Sequence, residues 1–276
     1  MPSPASFERA SREDLRARFE SDRPIHVYGL GDLTDEYFSR SRWWQRGQAT
    51  IGEIGLPGDP PELIVYGVNA GDPNDALALW ADVDHLLPDR YFATGPVGFA
   101  AYLSARGRVV EFDAGEHVKM FSKNLSRTLE IAPRNGQVVD SERGFVGRAI
   151  DQGDLGAIEA LQATHDDPGS FFTPTLLDDG PFYGVFDGDE LIAMAGIHVC
   201  STEMDVAAIG CVLVHPERRG LGLGTVVTAA QVRALHDLGI GSIGLNVKAD
   251  NTTARGIYER LGFVEVHRYE EALLAR

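Results

Sequence analysis

Apolar and polar residues alternate along the chain in two successive runs of strands and helices, separated by a polar stretch at residues 132–137. In the second run, period-two alternation and short apolar runs predict strands, and apolar residues three or four apart predict helices. The predicted strands are residues 145–150, 181–186, 191–200, 206–214, 243–247 and 263–272, and the predicted helices are residues 154–163, 227–238 and 251–262. These elements predict an α+β domain in which helices flank a sheet.

The first run predicts a similar order, strand, strand, helix, strand, helix, strand, after an N-terminal helix and a short strand. The predicted helices are residues 5–20, 74–87 and 96–106, and the predicted strands are residues 25–30, 48–54, 62–68, 91–94 and 108–112. Proline and glycine at residues 56–61 predict a turn between two strands. The stretch at residues 132–137 has the composition of a linker, so we place the domains at residues 1–138 and 139–276.

The segment most suggestive of function follows the predicted strand at residues 206–214. Pro216 cannot donate a ladder hydrogen bond and marks the end of that strand, and glycines then recur at positions 220, 222 and 224. Glycine lets the backbone approach a ligand closely, and a helix N-terminus presents unpaired N–H groups and a positive dipole end. The pattern therefore predicts a phosphate site, with Arg218 and Arg219 at its rim.

Two common phosphate loops do not fit this segment. A P-loop ends in Gly-Lys-Ser/Thr, which this chain lacks, and the dinucleotide fingerprint Gly-x-Gly-x-x-Gly fails at Thr225 and Val227. What remains, Arg219-x-x-Gly222-x-Gly224, resembles the acyl-CoA pyrophosphate loop of the GNAT (GCN5-related N-acetyltransferase) superfamily.

A second stretch strengthens the resemblance. Asn251 is followed by Ala254, by Tyr258 and by Leu-Gly-Phe at residues 261–263, which is similar to the spacing in GNAT enzymes. Because both motifs occur in the family's order, the chain is identified as a member of the superfamily, similar to its two-part bacterial members. The resemblance implies the acyl-CoA N-acyltransferase fold, an α+β (three-layer α/β) domain with a mixed, largely antiparallel sheet.

The resemblance also implies an activity, the transfer of an acetyl group from acetyl-CoA to a primary amine by direct attack in a ternary complex. Backbone groups of the strand before the loop would hold the pantetheine and polarise the carbonyl, the loop would hold the pyrophosphate, and Asn251 would lie near the reacting end. The implied acetyl-CoA contacts are Val212, Leu213, Val214, Arg219, Gly220, Leu221, Gly222, Leu223, Gly224, Thr225, Asn251 and Tyr258.

Tyr258 is the candidate general acid for the departing thiolate, because a phenol beside the developing charge can donate this proton. It also belongs to a helical stripe with Ala254, Ile257 and Leu261, so it could instead be a core residue. The spacing from Asn251 favours the catalytic role.

The general base is less clearly marked, because this chain has Ala208 and Asn246 where some family members carry a glutamate. His198, with an ordinary pKa near 6.5, is the candidate base. A single histidine in an apolar strand is more often a core residue, and Glu203 or Asp205 are alternatives. A water relay, or an acceptor that arrives neutral, would need no base residue.

The first domain resembles a degenerate copy of the same fold, on the order of its elements alone. At the position of the phosphate loop, residues 70–75 include Asp72, Pro73 and Asp75. Two carboxylates would repel a pyrophosphate, and proline removes a donor N–H. We therefore expect no CoA binding in this domain.

Charge and composition limit the classes of partner that we expect this chain to bind. A net charge of −16 argues against nucleic acid and is compatible with a cationic substrate such as an amine. The chain lacks a long apolar run and a signal-peptide pattern, so we expect no membrane partner and a cytoplasmic protein, as a monomer or homodimer. Cys200 and Cys211 lie in predicted strands and are interpreted as small buried residues, and we expect no metal.

Three functions are compatible with these patterns. The first is an N-acetyltransferase for a small amine, with the N-terminal half shaping the acceptor cleft. The second is a protein acetyltransferase acting on a lysine or an N-terminus, and the third is a non-catalytic acyl-CoA sensor. The presence of both Tyr258 and the glycine loop argues against the third, whereas the missing base supports it weakly.

Overall fold

The computed structural model describes residues 8–55, 63–67, 71–134, 136–165 and 172–276. In chain order its strands are β1 (Glu8–Arg9), β2 (Ser41–Arg46), β3 (Ala49–Gly55), β4 (Leu63–Tyr66), β5 (Arg90–Gly95), β6 (Val109–Ser122), β7 (Gln137–Asp140), β8 (Phe145–Ile150), β9 (Phe182–Asp187), β10 (Glu190–Ser201), β11 (Val206–Val214), β12 (Ser242–Lys248) and β13 (Phe263–Ala275). Its α-helices are α1 (Arg12–Ser21), α2 (Val27–Gly31), α3 (Asp35–Ser39), α4 (Pro73–Val83), α5 (Phe99–Ser104), α6 (Leu125–Ile131), α7 (Leu155–Gln162), α8 (Leu176–Asp179), α9 (Leu223–Asp237) and α10 (Thr252–Arg260).

Contacts within the chain define two compact units. The first comprises Met1–Lys119, Val247–Asp250 and Glu265–Arg276, and the second comprises Met120–Asn246 and Asn251–Val264. These bounds differ from the predicted division after residue 138. That domain boundary stays a prediction from the sequence. We describe each unit by itself.

The sheet of the first unit is mixed. Strands β1 to β4 pair antiparallel in sequence order, and β4 pairs parallel with β5. Residues 270–275 of β13 pair antiparallel with β5. A parallel pair needs a crossover, and α4 supplies it. Its start is fixed by Asp72, whose side chain accepts a hydrogen bond from the Asn74 N–H, with Pro73 at the first helical position. Trp80, Leu79 and Phe99 from α4 and α5 are fully buried against the strands.

The second unit repeats this arrangement with a longer sheet. Strands β7 to β11 pair antiparallel in sequence order, and β11 is parallel to β12 after the crossover helix α9. The β9–β10 hairpin turns through Gly188, whose φ of 59° suits a tight turn. Leu223, Val227 and Ala230 of α9 pack on the apolar face of β9 and β10. This unit therefore has a helix N-terminus directly after the end of β11.

The predicted α+β class, with a mixed and largely antiparallel sheet, is confirmed. The strand predicted at residues 25–30 is wrong, because this segment forms α2 and Gly29 lies against the ring of Phe19, where a Cβ would come within 2.9 Å. Strand β2 was not predicted, since its arginines hide a buried pair, Trp43 and Trp44. The turn at residues 56–61 and parts of the loop and linker at residues 70 and 135 lie outside the described residues. No helix in the described part of the chain has the length and apolar character to cross a bilayer.

Candidate functional site

A bulge distorts β11 shortly before its end. Between the pairs Met194↔Leu213 and Gly196↔Gly210, β10 advances two residues while β11 advances three. The extra residue coincides with Cys211, a buried non-glycine residue with φ of 51°. The left-handed conformation costs a non-glycine residue about 1–2 kcal/mol, and such bulges and strained residues concentrate near functional sites.

The parallel ladder between β11 and β12 stops at the same point. Within residues 206–248, all described, the paired residues run from Val206↔Ser242 to Ile209↔Leu245 and no further. The His215 N–H donates to the Ile192 carbonyl of β10 at 2.9 Å. Because backbone groups alternate between the two edges of a strand, Leu213 also faces β10, whereas Val212 and Val214 present their N–H and C=O groups at the other edge, where the ladder has ended.

The loop after β11 is exposed and depends on glycine. A 3₁₀ turn at Pro216–Arg218 ends the strand, as Pro216 predicts. Gly220 and Gly222 have φ of 80° and 78°, and a Cβ at either position would have no neighbour within 4 Å. The glycines are therefore required by backbone conformation, and the space above them is open. Arg219 is exposed on this loop.

Arg218 is less available than its sequence position suggests. Its Nη2 donates to Asp187 Oδ2 at 2.9 Å, and its guanidinium lies 5.9 Å from the centre of the Phe145 ring. The ion pair partly neutralises its charge. Arg219 is consequently the better candidate cation at the rim.

Helix α9 begins without a side-chain cap. Its N-cap is Gly222, which makes no side-chain hydrogen bond, so no side chain covers the positive dipole end at the open loop. Leu223 and Gly224 are buried, and a Cβ on Gly224 would come within 3.2 Å of Ile257. Gly224 thus lies where α9 packs closely against α10, a different role from that of Gly220 and Gly222.

Helix α10 positions the candidate acid. Asn251 caps this helix through its Oδ1, which accepts a hydrogen bond from the Ala254 N–H at 3.0 Å. Tyr258 is 7% exposed and its ring lies edge-on to Phe263, with centroids 6.2 Å apart. Burial raises the pKa of Tyr258 to about 12, so the phenol is a proton donor throughout the neutral range.

His198 lies against the distorted part of β11. A second register shift, between Ile197 and Val199, places it at a bulge of β10. A Cβ on Gly210 would come within 2.4 Å of the His198 Nε2 and Cδ2 atoms, so the half-buried imidazole rests on the Gly210 backbone. The structure therefore brings the candidate base beside the residue that precedes the Cys211 bulge.

The alternative base Asp205 serves the turn before β12. Its Oδ1 accepts a hydrogen bond from the Gly241 N–H at 2.5 Å, next to the first residue of β11. The loop lies at the other end of this strand, roughly 25 Å away for eight residues at about 3.3 Å each. This position favours His198 over Asp205.

Sequence reasoning missed the paired bulges and the contact between His198 and Gly210. A glycine inside an apolar strand is a signal for a bulge or a close backbone approach, and Gly210 carried that signal. Within the described residues, no group of three or more His, Cys, Asp or Glu side chains could hold a metal ion.

Comparison with known proteins assigns this segment. The model of the acetyltransferase (GNAT) family matches residues 154–263, which include β9 to β12, the glycine loop and α10. These residues belong to the GNAT family.

Curated relatives are named mycothiol acetyltransferases. The chain is 40% identical to the one from Rhodococcus erythropolis over 84 residues, which are 29% of this chain and 28% of that protein. It is 33% identical to the one from Streptomyces scabiei over 144 residues, 49% of this chain and 45% of that protein. The chain thus spans less than half the length of these relatives.

Solved structures extend the likeness of fold to almost the whole chain. A Drosophila protein is 15% identical with a TM-score of 0.69, and 98% of each chain is covered. A tandem GNAT protein from the clavulanic acid biosynthesis pathway is also 15% identical, with a TM-score of 0.54 and 98% of each chain covered. At these identities the likeness concerns the fold alone.

Proposed function

We propose that this chain is an acetyl-CoA-dependent N-acetyltransferase whose acceptor is the primary amine of a small molecule. The observation that carries the proposal is the open edge of β11 at Val212 and Val214, next to the uncapped N-terminus of α9, within the segment that belongs to the GNAT family. The mycothiol acetyltransferase relatives support a small acceptor.

The cradle suits the phosphates and pantetheine of acetyl-CoA. Open space above Gly220 and Gly222, the uncapped N-terminus of α9 and the exposed Arg219 match a pyrophosphate. The backbone edge at Val212 and Val214 matches an extended amide-bearing chain, which can pair with a strand edge. Asn251 and Leu221, 39% exposed, complete the proposed contacts, together with Leu223, Gly224 and Thr225 at the start of the helix.

The proposed reaction needs one bond made, one broken and two proton movements. The amine nitrogen attacks the thioester carbon, a C–N bond forms, the C–S bond breaks, and the electron pair leaves on sulfur. A backbone N–H at the open edge of β11 stabilises the oxyanion that develops, a term worth several kcal/mol when preorganised. Holding both reactants in line supplies a further part of the rate.

His198 and Tyr258 handle the protons in this proposal. His198 accepts the proton that the amine nitrogen must lose, and Tyr258 donates a hydrogen bond to the leaving sulfur, which departs as a thiolate and takes its proton from water. Because a thiol has a pKa near 8.5 and burial raises the pKa of Tyr258 to about 12, full transfer of the proton from the phenol to the thiolate is unfavourable. Tyr258 therefore acts by hydrogen bonding to the sulfur as its negative charge develops.

The first half does not bind CoA in this proposal. The carboxylate of Asp72 already accepts the Asn74 N–H at the start of α4, at 2.8 Å. A bound carboxylate occupies the position where α9 has an uncapped N-terminus, and its charge opposes a phosphate.

Release of free thiol from acetyl-CoA, measured across a panel of small amines, peptides with a lysine, and peptides with a free N-terminus, tests the function. We expect release that depends on a small amine and falls when Tyr258 is replaced by Phe. Turnover with peptides alone would replace the small-molecule acceptor by a protein, and tight CoA binding without turnover for any acceptor would indicate a sensor.

A further inference from the structure

The first unit buries a lysine that the proposed reaction does not use. Lys119, on β6, is 4% exposed. Its ammonium nitrogen lies 4.6 Å from the centre of the Tyr28 ring, 4.8 Å from that of Tyr269 and 5.7 Å from that of Tyr66. Cations within about 6 Å of an aromatic centroid are attracted by the ring, and cages of such rings are a general means of binding alkylammonium ions.

Two strands and a helix supply the cage, and β6 supplies Lys119. Residues two apart on a strand share one face of the sheet, which places His267, Tyr269 and Glu271 of β13 together and leaves Ala272 and Leu274 in the apolar core with α4 and α5. Tyr66 comes from β4 and Tyr28 from α2.

Acidic groups complete the surroundings of the cation. Asp32 and Glu271 both favour the charged form of Lys119 electrostatically. Glu271 is held in place, since its Oε1 accepts a hydrogen bond from the Tyr269 hydroxyl at 2.6 Å and its Oε2 lies 3.6 Å from His117 Nε2. Two carboxylates and three aromatic rings thus surround the single ammonium group of Lys119.

Two of the histidines around the cage, His26 and His267, are electrically neutral near pH 7. Burial, with Lys119 nearby, lowers the pKa of His26 to about 3 and that of His267 to about 4. His26 Nδ1 lies 3.3 Å from the Tyr66 hydroxyl. Burial also lowers the pKa of Lys119 to about 8 and raises that of Asp32 to about 7, so the lysine is the cation of this cluster at neutral pH.

We propose that the first unit contains a binding site for a primary alkylammonium ion, formed by Tyr28, Tyr66, Tyr269, Asp32 and Glu271, and that Lys119 fills this site as a tethered occupant. The site is separate from the acetyl-CoA cradle and goes beyond the proposed transfer reaction. A free amine cannot enter the site while Lys119 is in place. The ligand preference of the site can therefore be measured only after the lysine side chain is removed.

Chemical rescue of Lys119→Ala tests the proposal, with n-butylammonium as the probe because it carries an ammonium group on a straight alkyl chain, as the lost lysine side chain does. Trp43, Trp44 and Trp80, the three tryptophans of the chain, all lie in the first unit, so tryptophan fluorescence follows the unfolding of this unit alone. We expect Lys119→Ala to melt below the wild type. Millimolar n-butylammonium should then raise its melting temperature by several degrees with saturation, as specific binding to the folded state requires.

Three controls define the outcome. The wild type and the variant of the exposed lysine, Lys123→Ala, should show no such rise, and adding Tyr28→Leu to Lys119→Ala should weaken it. n-Butanol, of similar shape but uncharged, should stabilise Lys119→Ala much less. Equal stabilisation by n-butanol would show an ordinary apolar cavity, and the absence of any rise would show no ammonium site, so either result overturns the proposal.

Lys119→Met provides a second test that does not depend on folding of the alanine variant. Methionine keeps much of the apolar stem but leaves Asp32 and Glu271 without the cation. We expect this variant to melt below the wild type at pH 7, with a smaller difference at pH 5, where protonation of Asp32 removes one of the two charges. A methionine variant as stable as the wild type at pH 7 would show that the cage does not require a cation, which contradicts the proposal.

Discussion

Tyr258 shows how one environment sets both the packing and the protonation of a side chain. The same burial that fits its ring against Phe263 raises the pKa of its hydroxyl to about 12. The two interpretations of this residue from the sequence, core residue and proton donor, are therefore compatible. Its catalytic role remains a proposal that kinetics can test.

Replacing Tyr258 by Phe should lower kcat by about 100-fold, the lower end of the range for general acid catalysis, with little change in the KM for acetyl-CoA. The hydroxyl acts only as negative charge develops on sulfur, so ground-state binding should be retained. Steady-state thiol release measures both constants. Tyr183→Phe is a matched control, because Tyr183 also has a pKa raised to about 12 by burial but its hydroxyl donates to the Arg134 carbonyl. Equal losses in both variants would contradict a specific role of Tyr258.

Gly210 is a second residue on which the geometry of the site depends, because it has no side chain. A Cβ there would come within 2.4–2.6 Å of three ring atoms of His198, so Gly210→Ala must displace the imidazole. We expect a kcat reduced by about tenfold or more, similar to that of His198→Gln, since general base catalysis typically contributes at least that much. Acetyl-CoA affinity, measured by calorimetry, should be unchanged.

The double variant Gly210→Ala with His198→Gln distinguishes the mechanism of this loss. If Gly210→Ala acts through His198, the two losses will not add. Fully additive losses would show that the alanine disturbs the strand itself.

At the scale of elements, the strand–loop–helix unit was largely predictable and its distortion was not. Pro216, the glycines and the helical spacing after Val227 gave the end of β11 and the helix correctly, because each acts through local backbone chemistry. The bulge at Cys211 depends on how β10 and β11 are paired across the sheet, which no local pattern records. Only Gly210 carried a hint of it.

The same limit explains the error at α2. Its five residues have apolar character suited to either a strand or a helix, and packing of Gly29 against Phe19 decides between them. Gly31, the last residue of α2, is also buried. Strand β2 was missed for the opposite reason, because arginine side chains mask the buried Trp43 and Trp44.

A change in the glycine loop should affect the KM for acetyl-CoA but not kcat. Gly222→Ala forces a residue with a Cβ to keep φ near 78° at the N-cap of α9, at a cost of about 1–2 kcal/mol. We expect the KM for acetyl-CoA to rise about tenfold, as about 1.4 kcal/mol would give, with kcat nearly unchanged. Gly188→Ala, with φ of 59° and equally open surroundings in the β9–β10 turn, imposes similar strain elsewhere. A similar rise in KM for Gly188→Ala would indicate general destabilisation.

At the scale of the whole molecule, buried histidines make the first unit sensitive to acid. The folded-state pKa of His26 is lowered to about 3, mainly by burial and then by Lys119, His267 and Arg18. Its stabilising contribution is therefore complete above the unfolded pKa of about 6.5 and is lost as the pH falls below it. Between pH 7 and pH 5 we expect a loss of about 2 kcal/mol from this residue, which is 3% exposed.

Urea unfolding followed by tryptophan fluorescence measures this loss in the first unit. His26→Gln should be less sensitive to acid than the wild type, whereas His85→Gln, at an exposed position of the same unit, should match the wild type. An acid dependence unchanged by His26→Gln would show that His26 titrates normally in the folded chain.

The central claim is that one acetyl-CoA site exists, at the loop of the second unit. Calorimetric titration of the full chain with acetyl-CoA tests it most directly. We expect one molecule bound per chain, markedly weaker binding by Gly222→Ala, and unchanged binding by Asp72→Asn at the corresponding position of the first unit. Absence of binding, or binding that Gly222→Ala leaves intact while Asp72→Asn alters it, would contradict the account.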